Sequence, residues 1–301
     1  MNNGIVNQLE LHSPAKVNLF LELLGRREDN FHELVTVISP VSIFDTLRFR
    51  SRTDGQMILS VRKTGQSCDV DEHQQVPVDQ SNLVWRALDL VRTHCGIAPD
   101  SNDGTPNGAD VLITKRIPAA AGLGGASGNA ASALLAARRI WNANIDDQTL
   151  YDLAAELGSD VPVFLSGMTS VCTGRGEVVR PLRCPAGIPL VIAQPPVGLS
   201  TAWVYSVCEI REQKVTEAGL LDTLNTGSLK QIATKLFNRM EEFASTLSAW
   251  IDRLKHEFRT VGCVGHQMTG SGSAYFGIFS SIRAARIAAR RLSNRMPEVT
   301  I

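Results

Sequence analysis

The chain has no excess of charge of either sign, since 30 Lys and Arg residues balance 30 Asp and Glu residues. This balance argues against a nucleic-acid-binding protein, which usually carries a basic excess. No apolar run approaches the length of a membrane span, and residues 1–12 lack the basic and apolar regions of a signal peptide. We therefore expect no nucleic-acid partner and no membrane association, and no pattern indicates an obligate protein partner.

Cysteine is scarce and scattered along the chain. The six cysteines include no CxxC pair and stand at Cys68, Cys95, Cys172, Cys184, Cys208 and Cys263. This spacing argues against a zinc site or a disulfide framework and favours buried thiols in a reducing compartment. We therefore predict a cytoplasmic protein.

The length of 301 residues and a hydrophobic content of 44% allow about two domains. Strand and helix patterns occur in runs rather than in strict alternation, which predicts an α+β fold with two layers in each half. A Pro-rich stretch begins at residue 184. We therefore predict two domains, at 1–184 and at 185–301.

Apolar periodicity predicts the following elements. Strands are expected at 15–23, 34–44, 45–50, 109–113 and 190–193, with a hairpin at 169–180 and a glycine turn running into a strand between 265 and 279. Helices are expected at 83–95, 129–141, 149–157, 201–212, 229–235, 240–258 and 283–295. Residues 53–82 are polar and are expected to be irregular, with Asn82 as the N-cap of the first helix.

The most distinctive feature present is a glycine-rich run, PAAAGLGGASGN at residues 118–129, with four glycines within seven residues. It lies between the strand-like ADVLI at 109–113 and a helix-like segment rich in Ala, Leu and Arg. Glycines permit a tight loop, and the unpaired N–H groups at a helix start attract anions. The run therefore predicts a phosphate-binding loop.

A turning connection without a ligand is the simpler interpretation of this run. The number of glycines, together with Ser127 and Asn129 at the helix entrance, favours phosphate binding. The run is not a Walker A loop, because no Gly-Lys-Ser/Thr follows, and Ser127 stands where a Rossmann fingerprint has its third glycine. Any catalytic lysine must therefore come from another segment.

Lys16 is the first candidate for that lysine and lies in the alternating segment AKVNLFLEL at 15–23. Because side chains of a strand alternate between its two faces, Lys16 and Asn18 are predicted to share a face. A lone lysine on a half-buried strand is commonly exposed to solvent. From the residues alone, the exposed and the functional interpretations both stay open.

Asp160 is the second candidate, because it follows a helix end at Gly158 and precedes the apolar segment VPVF. One interpretation is a residue that caps a short helix with Pro162 in its first turn. The other is a carboxylate that orients a hydroxyl nucleophile and accepts its proton. A nearby lysine would keep such a carboxylate ionised.

His32 follows Phe31 at the end of a polar turn. Taken alone, this histidine is typical of a surface or strand-edge position, and the phenylalanine is typical of a core. The six histidines show no spacing that indicates a metal cluster, so the sequence leaves any metal ligands unknown.

Five segments occur together in a fixed order: SPAKVNLFL at 13–21, NFHEL at 30–34, the glycine run, GSDVPVF at 158–164 and TGSGS at 269–273. The set resembles the GHMP kinase superfamily over nearly the whole chain. The glycine run alone indicates only the superfamily. The segments SPAKVNLFL, NFHEL and SDVPVF resemble one family within it, whose members act in the methylerythritol phosphate route to isoprenoids.

The resemblance implies an ATP-dependent kinase with the two-domain α+β GHMP kinase fold. It makes the predicted domain at 1–184 the ATP-binding domain and that at 185–301 the substrate-side domain, with an active site in the cleft between the domains. It implies phosphorylation of the 2-hydroxyl of the methylerythritol part of a cytidine diphosphate conjugate, with Mg²⁺ beside ATP. Lys16 and Asp160 match the family's catalytic pair. The implied ATP-binding residues are Pro118, Gly122, Leu123, Gly124, Gly125, Ala126, Ser127 and Gly128.

The resemblance also implies the substrate-binding residues Asn18, Phe31, His32, Tyr205, Gly270, Ser271 and Gly272. In the family two aromatic rings sandwich the cytosine, which here match Phe31 and Tyr205, and His32 matches a cytosine-contacting position. Relatives more often have Tyr first and Phe second, so the two rings are exchanged. Many relatives also have a serine where this chain has Gly128, which leaves the metal ligands open.

Two alternatives stay open beside this kinase. Another GHMP-type kinase, of the homoserine or mevalonate class, would share the glycine run, but NFHEL and the aromatic pair argue against it. A non-catalytic nucleotide-binding relative would usually lose the base or the loop, yet Lys16 and Asp160 are both present.

Overall fold

The computed structural model describes residues 7–63, 76–101, 103–184 and 187–301. The strands are β1 (Gln8–Arg26), β2 (His32–Arg52), β3 (Met57–Lys63), β4 (Gly108–Lys115), β5 (Ser170–Thr173), β6 (Val178–Pro181), β7 (Leu190–Ala193), β8 (Phe237–Asn238), β9 (Gly265–Met268) and β10 (Tyr275–Ile278). The helices are α1 (Leu83–His94), α2 (Gly125–Ile140), α3 (Asp147–Leu157), α4 (Val161–Ser166), α5 (Thr201–Val207), α6 (Ala218–Thr226), α7 (Leu229–Ala233), α8 (Met240–Leu247), α9 (Ala249–Thr260) and α10 (Ile282–Arg295).

The described residues group into two compact units made of discontinuous segments. Unit 1 contains described residues of Met1–Ala15, Pro40–Ala119 and Gly124–Gly167. Unit 2 contains described residues of Lys16–Ser39, Ala120–Leu123 and Met168–Ile301. Strands β1 and β2 and the glycine run contribute residues to both units. The domain boundary between residues 184 and 185 stays a prediction.

Unit 1 is a sheet with helices packed on it. Strand β4 pairs parallel with β3 and antiparallel with the second half of β2, with Phe49 opposite Val111. Its core combines apolar side chains of the sheet with those of α1 and α2, including Leu88 and Leu134. Helix α2 is therefore held by burial of its apolar face, which fixes the position of its first turn.

Unit 2 contains the first half of β2 paired antiparallel with β5, and β5 paired with β6. Strand β8 pairs parallel with β1, with Phe20 opposite Phe237. Strands β7, β10 and β9 form a separate antiparallel sheet in that order. Phe258 of α9 and Leu292 of α10 pack with Tyr275 of β10 in the core of this unit.

Several predicted strands are confirmed, and two differ. The segments 34–44 and 45–50 form one continuous strand, β2, because the carboxylate of Asp45 is buried and hydrogen-bonded rather than marking a turn. Residues 57–63 form β3, so the prediction of irregular structure is wrong there. Residues 64–75 and Cys68 lie outside the described residues.

Helix positions were predictable, but several helix ends were not. Asn82 caps α1 as predicted, its side chain accepting from the Val84 N–H. The helix predicted at 240–258 is two helices, because Ser248 has an extended backbone and its side chain caps α9. Helix α5 ends at Val207 rather than at 212, and α6 was not predicted. Within the described ranges, no helix has the length and hydropathy required to cross a bilayer.

Candidate active site

Lys16 lies on β1 beside Asn18, and its Nζ donates a hydrogen bond of 2.6 Å to Asn18 Oδ1. The prediction that these two residues share a face is confirmed. Lys16 is only 3% exposed, so the interpretation as an ordinary solvent-exposed lysine is wrong. Burying an ammonium group is costly unless it is hydrogen-bonded, which points to a role that requires the charge at this place.

Asn18 is the centre of a buried hydrogen-bond network. Its Nδ2 donates to Thr36 Oγ1 at 2.9 Å, and its backbone N–H donates to Thr269 Oγ1 at 2.9 Å. Thr269 begins the glycine turn between β9 and β10. An added Cβ on Gly270, which has φ of +57°, would lie 3.1 Å from Lys16 Nζ. The glycine turn therefore lies directly against the lysine, as the resemblance implies.

The first part of the glycine run contacts the same cluster in unit 2. The Lys16 N–H donates to the Leu123 carbonyl at 3.0 Å, and the Ala274 N–H donates to the Ala121 carbonyl at 3.1 Å. Ser271 Oγ and Thr201 Oγ1 are 2.9 Å apart, at the start of α5. Segments far apart in sequence thus meet around one buried lysine.

The second part of the glycine run forms the start of α2. The helix begins at Gly125, four residues earlier than predicted, with Gly124 as N-cap at φ of +69°. Gly124 offers no side chain to the first-turn N–H groups of Gly125, Ala126 and Ser127. An uncapped helix start directs backbone N–H groups and the positive end of the helix dipole toward an anion.

Gly128 packs tightly against Ser13 and Pro14, which precede Lys16 in β1. An added Cβ at residue 128 would lie 2.6 Å from Ser13 Oγ and 3.1 Å from the Pro14 carbonyl oxygen. Ser13 Oγ is buried and has no hydrogen-bond partner within the described part of the chain. The hydroxyl of Ser13 therefore occupies the space that a serine side chain at residue 128 would need.

We expect Gly128→Ser to destabilise the protein by about 1–3 kcal/mol, because the new side chain overpacks this contact. Urea denaturation measures the change in the free energy of unfolding. The double variant Ser13→Ala/Gly128→Ser should recover most of the loss, and Ser13→Ala alone serves as its matched control. A Gly128→Ser protein as stable as the unmodified one would contradict this packing argument.

A buried ionic network supports the start of α2, and it was missed by the sequence reasoning. Asp45 forms an ion pair with Lys115 and accepts hydrogen bonds from Asn129 Nδ2 at 2.9 Å and from the Arg116 and Ile117 N–H groups at 2.8 and 2.9 Å. The Lys115 ammonium lies against Gly125. The network joins β2, the end of β4 and α2, so it fixes both ends of the intervening loop. The position of Lys115, three residues before the glycine run, was the available signal.

Asp160 is the N-cap residue of α4, with Pro162 in the first turn, but its side chain makes no capping hydrogen bond. Asp160 therefore begins a short helix, as the capping interpretation predicts, but its carboxylate does not make the capping hydrogen bond. Asp160 is half-buried in unit 1. Phe164, one turn later, lies beside Gly128 in the first turn of α2. The carboxylate thus stands on a helix that packs beside the predicted phosphate-binding helix.

The predicted base-binding residues lie in unit 2. The rings of His32 and Tyr205 contact each other, with centroids 5.1 Å apart and planes inclined by 35°. Phe31 is 49% exposed, which excludes the interpretation as an ordinary core residue. The Arg175 guanidinium lies over the Phe31 ring, 4.8 Å from its centroid. A cationic group therefore covers one face of the accessible Phe31 ring, and His32 and Tyr205 form a separate ring pair in the same unit.

Burial, with a contribution from the charge of Arg26, holds the pKa of His32 below its ordinary value. His32 is therefore neutral at pH 7, with one ring nitrogen that donates and one that accepts. We expect NMR titration to give a pKa below about 6.5, with His32→Gln assigning the resonance. Because the unfolded chain takes up this proton first as the pH falls, this residue lowers stability on acidification. A pKa above the ordinary value would contradict this expectation.

Comparison with known proteins covers nearly the whole chain. The GHMP kinases N terminal domain matches residues 82–168, and the GHMP kinases C terminal domain matches residues 219–298. A 4-diphosphocytidyl-2-C-methyl-D-erythritol kinase of Synechococcus sp. (strain JA-3-3Ab) is 34% identical, over 95% of this chain and 89% of the relative. The chain belongs to this kinase family. A relative with the same name from Pelotomaculum thermopropionicum is 35% identical over 92% of this chain and 91% of its own.

Solved structures agree with membership in this family. A crystal structure of 4-(cytidine 5'-diphospho)-2C-methyl-D-erythritol kinase gives a TM-score of 0.74 at 32% identity, covering 95% of this chain and 96% of that one. A homoserine kinase from Cytophaga hutchinsonii gives a TM-score of 0.73 at 17% identity, covering 99% of this chain and 93% of that one. At this identity the likeness shows the shared fold alone. The predicted α+β GHMP kinase fold is confirmed.

Proposed function

We propose that the protein transfers the γ-phosphoryl group of ATP to the 2-hydroxyl of 4-diphosphocytidyl-2-C-methyl-D-erythritol, a step in isoprenoid precursor biosynthesis. The observation that carries the proposal is identity of 34% over 95% of the chain with a kinase of this name, in a chain that buries Lys16 against the glycine turn. In this reaction the oxygen of the acceptor hydroxyl bonds to phosphorus, the bond to the leaving ADP breaks, and the hydroxyl proton goes to a base.

The proposed phosphate site is the glycine run from Pro118 to Gly128. The N–H groups of the first turn of α2 would donate to phosphate oxygens, because Gly124 leaves that turn without a side-chain cap. Backbone donors require no particular side chain. The alanines and Gly128, where relatives often have other residues, are therefore compatible with ATP binding.

The proposed catalytic residues are Lys16 and Asp160. Asp160 would accept the proton of the acceptor hydroxyl, which a half-buried carboxylate not used as a helix cap can do. Lys16, held by Asn18, would stabilise negative charge on the transferring phosphoryl group. Positioning and charge stabilisation supply most of the rate in phosphoryl transfer, so a rigid, buried ammonium suits the role.

In the proposed acceptor site, the cytosine of the substrate would be bound by Phe31, His32 and Tyr205. An exposed aromatic ring offers a face on which a base stacks. Neutral His32, packed on Tyr205, offers a hydrogen-bond donor and an acceptor to the polar edge of cytosine. Asn18, Gly270, Ser271 and Gly272 would contact the rest of the substrate, because they border the proposed catalytic lysine.

Magnesium is the cation proposed to accompany ATP, where it neutralises charge on the phosphates. In nucleotide sites it typically takes few protein ligands, with phosphate and water oxygens completing its shell. The described residues contain no group of three or more His, Cys, Asp or Glu suited to hold an ion by themselves. We propose that the ion enters with the nucleotide and takes most of its ligands from phosphate and water oxygens.

We place the proposed activity in the cytoplasm. The five described cysteines are free thiols, which fits a reducing compartment. The proposed small-molecule reaction needs neither a nucleic acid nor a protein partner.

An assay with purified protein tests the proposal directly. ATP, Mg²⁺ and the cytidine diphosphate substrate should release ADP, and phosphorus NMR should show a new phosphate monoester. Homoserine and mevalonate, used as acceptors in parallel, should give no product because they lack a cytosine. ATP binding without transfer to any of these alcohols would favour the non-catalytic alternative and reject the proposal.

A further inference from the structure

Arg175 is a residue to which neither the motifs nor the proposed mechanism gives a role. It lies in the turn of the β5–β6 hairpin, and its guanidinium carbon is 4.8 Å from the centroid of the Phe31 ring. Both residues belong to unit 2. A guanidinium at this distance over a ring is attracted by the negative face of the π system. One face of the Phe31 ring is therefore in contact with the Arg175 guanidinium.

The hairpin turn that carries Arg175 is itself anchored. The Leu34 N–H of β2 donates to the Gly174 carbonyl at 2.8 Å, which ties the turn to the strand that follows Phe31. The Arg175 N–H donates to Glu177 Oε2 at 2.6 Å, and the guanidinium Nε lies 3.7 Å from Glu177 Oε1. Arg175 is therefore held by its own backbone and by a carboxylate two residues later.

The backbone of Phe31 is also anchored by hydrogen bonds, but its side chain is not enclosed in a hydrophobic core. Its N–H donates to Asp29 Oδ1 at 3.1 Å, and its carbonyl accepts from the Arg27 N–H at 2.8 Å. The side chain is 49% exposed, so packing alone does not fix its rotamer. A half-exposed ring that must stack on a base would lose rotamer entropy on binding unless another group orients it first.

We propose that Arg175 is a positioning residue that orients the Phe31 ring for stacking on the cytosine of the acceptor. This inference rests on the proposed function. The planar guanidinium and the ring together form a preorganised platform, so the cost of ordering the ring is met before the substrate arrives. The residue acts on the base through Phe31 and has no part in phosphoryl transfer.

The test compares Arg175→Gln with Arg180→Gln, a matched control, since Arg180 is exposed on β6 of the same hairpin. We expect Arg175→Gln to raise KM for the cytidine diphosphate substrate about three- to fivefold, with kcat and the KM for ATP unchanged. Arg175→Lys, which keeps the charge but not the plane, should recover only part of the affinity. The control should behave as the unmodified enzyme.

Two further measurements identify how Arg175 acts. Calorimetry with cytidine 5'-monophosphate, which lacks the diphosphate, should show the same loss of affinity in Arg175→Gln. Phe31→Leu should raise KM by about tenfold through lost stacking, and adding Arg175→Gln to it should raise KM no further. An additive double variant, or a loss seen with the substrate but not with the monophosphate, would assign Arg175 to direct substrate contact and overturn the inference.

Failure of the inference and failure of the proposed function give different results. Unmodified protein that does not phosphorylate the cytidine substrate rejects the proposed function. Unmodified protein that does so, with an Arg175→Gln variant of equal KM, rejects the positioning role alone.

Discussion

Asp160→Asn is expected to lower kcat by about 10²–10⁴-fold, the usual contribution of a general base. The amide keeps the size of the side chain but cannot accept the hydroxyl proton. Since the carboxylate makes no capping bond to α4, its replacement should leave that helix in place. ATP binding at the first turn of α2 depends on backbone donors and should stay unchanged. Steady-state ADP release gives kcat, and calorimetry with a non-hydrolysable ATP analogue gives the dissociation constant.

Asp152→Asn is the matched control for this experiment. Asp152 is an exposed carboxylate of α3 that accepts a hydrogen bond of 3.0 Å from Gln148. Its replacement should leave kcat and nucleotide affinity as they were. Thermal unfolding of both variants tests whether a fall in kcat reflects chemistry or lost structure. A properly folded Asp160→Asn enzyme that keeps more than about a tenth of its turnover would exclude Asp160 as the general base.

Asp45→Ala is expected to destabilise the protein by about 3–5 kcal/mol, because it leaves the Lys115 ammonium buried without a counter-ion. The substitution also removes the carboxylate that accepts hydrogen bonds from the Arg116 and Ile117 N–H groups and from Asn129 Nδ2. These groups define both ends of the glycine run. The KM for ATP should therefore rise while the KM for the acceptor stays the same. Urea denaturation and steady-state kinetics measure the two effects.

The double variant Asp45→Leu/Lys115→Met distinguishes charge from geometry. Replacing both members of a buried pair by apolar residues often restores much of the stability. The raised KM for ATP should persist, because the hydrogen bonds to the loop remain absent. Asp147→Asn, which breaks an exposed pair with Arg138, serves as control and should change stability little. Equal losses in Asp45→Ala and Asp147→Asn would contradict the role assigned to the buried network.

Local sequence patterns predicted much of this protein because they report on neighbouring residues. Alternation in β1 put Lys16 and Asn18 on one face, and their side chains are hydrogen-bonded. The same alternation continues through Phe20 and Glu22, and both of these side chains are buried too. Glu22 is paired with Arg239, more than two hundred residues later, a contact that no local pattern contains.

Segment boundaries were less predictable where a distant contact decides them. The sequence pattern divides 34–50 into two strands at Asp45, but Lys115 and Asn129 pair with its carboxylate inside the continuous strand β2. The helical periodicity over 240–258 carries no sign that Ser248 adopts an extended backbone and divides it. Polar residues in such places were misinterpreted because their partners lie far along the chain.

The sequence by itself determined the family, the glycine run and the candidates Lys16 and Asp160, because these depend on residue identity and short spacing. Only the tertiary structure decided that Lys16 is buried against Gly270, that the Asp160 carboxylate makes no capping hydrogen bond to α4 and that Arg175 covers Phe31. Burial and hydrogen-bond partners are properties of the folded chain, since they arise when segments far apart in sequence exclude water together.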